Sequence, residues 1–147
     1  MKYALKNAVI LDGTKDMEPL RGQSVLVEGE TIVGLAPAGS EPMSFEPVDL
    51  TGKYLMPGLF NMHVHLAGSG KPQKKQRDNE KLVKTIMGSG LTRAVAYSMV
   101  RGFARDELMS GVTTIRTMGG LGNFDSRLRD EIAAERQDGP LILAANQ

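Results

Sequence analysis

The chain holds only two histidines, and a single residue separates them. They sit in Pro57-Gly58-Leu59-Phe60-Asn61-Met62-His63-Val64-His65-Leu66-Ala67-Gly68. Neutral imidazole is a common ligand for zinc and similar divalent ions. In an extended strand, residues i and i+2 point to the same face, about 6.5–7 Å apart along the backbone. His63 and His65 would then converge on one ion while Val64 faces apolar packing. The plainer alternative is a pair of hydrogen-bonded surface histidines. The apolar run ahead of the pair, and Gly68 and Gly70 after it, favour a site at the C-terminal end of a strand. Parallel α/β folds carry their ligands and catalytic groups at that end. Two imidazoles are still an incomplete set, because zinc normally takes three or four protein ligands. With no further histidine and no cysteine, the remaining ligands are limited to carboxylates, lysine derivatives or water.

The elements that must position this pair follow from pattern. Tyr3 to Ile10 is apolar-rich and ends at the turn signal Asp12-Gly13. Ser24–Glu28 and Thr31–Leu35 flank Gly29-Glu30 as a hairpin. Residues 37–47 read as loop, and Val48–Leu50 as a short strand. Residues 1–55 therefore read as a small antiparallel β unit, too thin to cover its own apolar face. Tyr54 to Met62 is a nearly continuous apolar run, the pattern of a strand buried on both faces. A polar loop follows from Gly68 to about Asp78. Residues 80–109 read as helix, broken near Gly88-Ser89-Gly90, with Leu91, Val95, Met99 and Phe103 on the inward face and Gly111 as the stop. Val112–Arg116 reads as a second strand. Asp125 is expected to cap a helix through about Gln137, with Leu128 and Ile132 inward, and Leu141–Ala144 as a third buried strand. Strands alternating with helices over residues 56–147 imply an α/β fold with a parallel sheet.

Composition narrows the partners. The net charge of +1 exerts no strong pull toward nucleic acid or membrane. Without cysteine there is no disulfide framework and no thiolate site. Lys6 and Asn7 interrupt the apolar start, so a signal peptide is not expected, and no apolar run approaches the roughly 20 residues of a membrane helix. A cytoplasmic location is the expectation. Lys71, Lys74, Lys75, Arg77, Lys81 and Lys84 form a basic run offset by Asp78 and Glu80. No aromatic residue interleaves it, so it reads as a solvated loop and helix face rather than a nucleic-acid surface. Most of the nine methionines read as core fillers. Gly119-Gly120-Leu121-Gly122 lacks the spacing of a phosphate loop.

Together, Pro57 to Leu66 resembles the first barrel strand of the amidohydrolase superfamily, metal-dependent hydrolases built on a (β/α)8 barrel with an attached β-sandwich. Asn7–Thr14 and Val25–Leu35 resemble strands of that sandwich, and Asp49–Gly58 the passage into the barrel. Ser110–Arg116 with Gly119-Gly120 resembles the second barrel strand, and Gly139–Ala144 the third. The imidazolonepropionase-like and prolidase-like subgroups are nearest in style. The resemblance implies residues 1–55 as part of the sandwich. Residues 56–147 would be the first three strands and two helices of the barrel, which is incomplete in this length. It implies that His63 and His65 bind the more buried of one or two divalent metals, most often zinc. The metal would activate a water against the C–N bond of an amide, lactam or dipeptide.

Two positions depart from the family pattern. Asn61 stands where aspartate is usual, beside a metal ligand it could orient, and Thr117 stands where many members have aspartate after Arg116. Arg116 is a candidate contact for a substrate carboxylate, with a structural ion pair as its alternative. A full barrel takes about 250 residues. The resemblance puts the general base, usually an aspartate on the eighth strand, outside these 147 residues. The isolated chain is therefore expected to be inactive. Three readings stay open: the N-terminal part of an amidohydrolase, half of a split enzyme completed by a partner chain, or a non-catalytic module. An open sheet edge would serve the last in binding a partner or forming a homo-oligomer.

Overall fold

A computed structural model of the chain describes residues 1–68 and 78–145. The fold is mixed α/β and divides into two compact units, Met1–Pro57 and Gly58–Gln147.

The first unit is built from β1 (Lys2–Lys6), β2 (Val9–Ile10), β3 (Gln23–Glu28), β4 (Thr31–Pro37), β5 (Glu46–Asp49) and β6 (Tyr54–Leu55). Gly29, at φ 61°, closes the β3–β4 hairpin. The four-stranded sheet runs β4-β3-β1-β5, and β2 pairs with β6 separately. The expectation of a purely antiparallel unit is corrected, because β1–β5 and β2–β6 are parallel. The reason is Asn7, which adopts φ 65° and breaks the Tyr3–Ile10 run into β1 and β2. Its side chain donates to Asp49 at 2.8 Å, binding the break to the end of β5. Ser24 of β3 donates to Glu41 at 2.6 Å. The buried residues are mostly small, among them Ala4, Ala8 and Ala36. Leu5, Val25, Val27, Leu35 and Leu55 line an apolar cavity of about 320 Å³.

The second unit contains β7 (Leu59–Val64), α1 (Asn79–Met87), α2 (Gly90–Met109), β8 (Val112–Thr117), α3 (Phe124–Ala133) and β9 (Leu141–Ala144). Its sheet runs β7-β8-β9, and both pairings are parallel. Asp78 caps α1 by accepting from Lys81 N at 3.0 Å, and Ser89 caps α2 by accepting from Thr92 N at 3.2 Å. Thr92 Oγ1 donates back to the Ile86 carbonyl at 2.7 Å, joining the two helices across the glycine break. Ser110 ends α2, and Gly111 turns the chain at φ 94°, which glycine adopts without strain. Val64, Leu66, Tyr97, Val100, Ile115, Leu128 and Ile142 form the core on one side of the sheet.

Several sequence expectations are corrected here. Leu91, Val95 and Met99 are 77%, 56% and 55% exposed, whereas Ala96, Tyr97, Val100 and Ala104 face the core. Both rows satisfy helical spacing; the sheet accepts the flatter one, whose two alanines allow close approach. The runs at β7 and β9 are not buried on both faces, since Leu59, Phe60, Met62, Leu141 and Leu143 are exposed. Only one face of this sheet is covered by α2 and α3. Tyr54 and Leu55 belong to β6 in the first unit rather than to the histidine strand. Asp125 is not the cap of α3: Asn123 holds that position, and the helix ends at Ala133. Leu128 is fully buried as expected, and Ile132 packs against the core. Of the basic run, Lys71, Lys74, Lys75 and Arg77 lie outside the described residues, as does most of the expected 68–78 loop. Lys84 pairs with Glu80 on the exposed face of α1 at 3.1 Å. No described helix is long and apolar enough to cross a membrane.

Candidate metal centre

The histidines lie where β7 ends. Exposure alternates along the segment, with His63 and His65 outward and Val64 and Leu66 buried in the core. The two apolar anchors therefore orient the two imidazoles. The pairing with β8 is irregular here: Asn61 is opposite Ile115 and Val64 opposite Thr117, so two β7 residues stand against one. His63 is one of those two, and its backbone N–H donates to the Asn61 side-chain Oδ1 at 3.3 Å.

The rings converge. His63 Nε2 and His65 Nε2 are 3.3 Å apart, with ring centroids 5.2 Å apart and planes inclined by 65°. Two nitrogens on one tetrahedral zinc, each about 2.0–2.1 Å from it, stand about 3.3–3.4 Å apart. The pair thus already has the edge length that such an ion needs. His65 Nδ1 faces the Gly119 carbonyl at 3.2 Å. A carbonyl oxygen only accepts, so in this contact Nδ1–H donates, and Nε2 is the ring nitrogen left to face His63.

Asn61 Nδ2 donates to Glu107 Oε2, at the end of α2, at 3.4 Å. Asn61, His63, His65, Phe103, Asp106 and Glu107 line a common cavity of about 490 Å³. Among the described residues no group of three or more His, Cys, Asp or Glu side chains is arranged to hold an ion. The histidine pair fits a divalent metal in donor type and spacing but is only part of a ligand set.

The structure does not bring Arg116 to this cavity. It lies exposed on β8, in register with Leu143 of β9. Thr117 is fully buried beside Val64, and its Oγ1 has no hydrogen-bond partner among the described residues. Asp125 is 5% exposed, and neither carboxylate oxygen has a partner there. Its Oδ1 lies 2.6 Å from where a Cβ on Gly120 would stand, so a side chain at 120, beside the carbonyl that holds His65, would force the buried carboxylate to shift. The Gly119-Gly120 punctuation was visible in the sequence; its contact with His65 was not. Glu107 carried no sequence signal, being 46 positions from Asn61.

Comparison with known proteins places the chain in a family. Residues 54–145 match the amidohydrolase family. A dihydroorotase of Syntrophus aciditrophicus is 36% identical over 77 residues, 51% of this chain and 17% of that protein. An imidazolonepropionase of an Arthrobacter species is 36% identical over 59 residues, 39% of this chain and 15% of that protein. A solved structure assigned as a prolidase, from Bifidobacterium longum, superposes with a TM-score of 0.73 at 32% identity, covering 99% of this chain and 30% of that one. The chain thus spans less than a third of the length of each of these relatives. The histidine strand, the parallel sheet and the match over residues 54–145 make this chain a member of the amidohydrolase family.

Proposed function

We propose that this chain carries the first two metal ligands, His63 and His65, of a hydrolase acting on C–N bonds in an amide, lactam or dipeptide. The observation that carries this reading is the 3.3 Å separation of the two Nε2 atoms, with His65 held through Nδ1 by the Gly119 carbonyl. Zinc suits the donor set best. When bound, such an ion supplies an activated water near neutral pH and polarises the scissile carbonyl. The residues here fix the geometry: the Gly119 carbonyl sets the His65 tautomer, Asn61 anchors the His63 backbone, and Val64 and Leu66 anchor the strand. Residues 1–55 would form part of a sandwich, and residues 56–147 the opening βαβαβ portion of a (β/α)8 barrel. Arg116 would approach a substrate only after the uncovered face of the sheet is enclosed.

The general base and remaining ligands would come from beyond these residues, on the same polypeptide or on a complementing chain. The reading rests on the family match and on the small share of each relative that this chain spans. The test is reconstitution with a polypeptide supplying barrel strands four to eight and the last sandwich strands. Acyl-amino acids, dipeptides and lactams are the substrate panel. Turnover on mixing, lost in His63→Ala, is the expected result. Robust turnover by the 147-residue chain alone would overturn this account.

A further inference from the structure

We propose that Glu107 is a positioning residue for His63, acting through Asn61, and that this contact makes asparagine the compatible residue at position 61. The inference rests on the reading of His63 as a metal ligand. The irregular β7–β8 register places His63 between the paired positions, and its N–H turns to the Asn61 side chain at 3.3 Å. An amide can present either its oxygen or its NH2 group to that N–H. Glu107 decides which. Its carboxylate only accepts, so it draws the Asn61 Nδ2 group toward itself at 3.4 Å. Oδ1 is then left facing His63. Glu107 is itself held at the end of α2, where its carbonyl accepts from Ser110 Oγ at 2.7 Å. Both side chains are partly buried. Aspartate at 61 would accept from His63 equally well. It would also set a second carboxylate against Glu107 with no donor between them, a repulsive arrangement. The helix end thus orients the strand side chain, and that side chain holds the backbone of the ligand.

The test separates hydrogen bonding from charge. Glu107→Gln and Glu107→Leu both remove the charge, but only glutamine keeps an acceptor for Asn61. Exchange of the His63 amide is followed by NMR in the metal-free chain, where the whole amide spectrum also reports that each variant is folded. Glu107→Gln should stay within about twofold of the parent, and Glu107→Leu should exchange at least about fivefold faster, the loss of roughly one net hydrogen bond. Asn61→Asp should also exchange about fivefold faster, and Asn61→Asp with Glu107→Gln should recover, because the introduced glutamine amide can donate to the new carboxylate. Zinc titration forms a separate arm, in which Glu107→Leu weakens binding and Glu107→Gln does not. Equal His63 exchange in the Gln and Leu variants, or a double variant no better than Asn61→Asp, would overturn the proposal. Zinc binding unaffected by His63→Ala would instead overturn the metal reading, leaving the exchange result to decide the positioning role.

Discussion

His65 Nε2 stands 3.3 Å from His63 Nε2, while its other ring nitrogen faces the Gly119 carbonyl across the end of β8. One histidine is thus held through its backbone by a neighbour on its own strand, and the other through its ring by the turn that follows the next strand.

Metal retention by the isolated chain should be weak, because two neutral imidazoles leave the rest of the coordination sphere to water. Metal analysis after dialysis should find well under one zinc per chain, and His63→Ala or His65→Ala should abolish specific uptake. Stoichiometric zinc surviving a chelator would show that carboxylates join the pair.

Gly120→Ala should destabilise the second unit by about 1–3 kcal/mol, because the new methyl would overlap the Asp125 carboxylate. Adding Asp125→Ala to Gly120→Ala should recover part of the loss. Urea unfolding measures both. No change from Gly120→Ala would mean that the turn is not tightly packed against Asp125.

Lysine in place of Leu91, Val95 or Met99 should change the stability of this chain by no more than about 0.5 kcal/mol, since these side chains are exposed. Leu128→Ala, at a fully buried position, should cost about 2–5 kcal/mol. The contrast with Leu128 of α3, read by urea unfolding, tests whether the Leu91-Val95-Met99 row of α2 lies outside the core. Comparable losses at both sets of positions would contradict the packing.

Burial, followed by donation to Glu131 Oε2 at 2.8 Å, pushes the Tyr97 phenol up to about 12 from 10.0. Folding favours the neutral phenol, so its stabilisation is present below pH 10 and is lost as pH rises from about 10 toward 12. Ultraviolet titration of the parent against Tyr97→Phe should show this phenol ionising last. A Tyr97 titration near pH 10 would mean that the contact with Glu131 is not made in solution.

The Ser24 hydroxyl leads the groups that hold the Glu41 carboxyl at about 2, below its usual 4.5; backbone donors and Lys6 add to it. Folding favours the ionised form, so this contribution is present above pH 4.5 and is lost as pH falls toward 2. Carboxyl NMR should find the Glu41 midpoint raised in Ser24→Ala. An unchanged midpoint would remove Ser24 as the main cause.

The order of elements could be read from the chain because it depends on local chemistry. Glycine and the Ser89 cap break and restart the helix, Gly29 closes the hairpin, and apolar runs bounded by turn residues mark the strands. The face on which His63 and His65 stand was legible for the same reason, since strand geometry alone puts i and i+2 together. Burial was harder to read. Leu91-Val95-Met99 and Ala96-Val100-Ala104 both recur at helical spacing, and only packing against the sheet selects the second row.

What the sequence alone determined is that the chain carries an imidazole pair at a strand end within a βα frame, because periodicity and spacing act over a few residues. The tertiary structure decided what supports the pair. Glu107 meets Asn61 across 46 positions and Gly119 meets His65 across 54, so neither contact leaves a local pattern in the chain. Those supports arise only when α2 and β8 pack beside β7, where shape and hydrogen-bond satisfaction choose the partners.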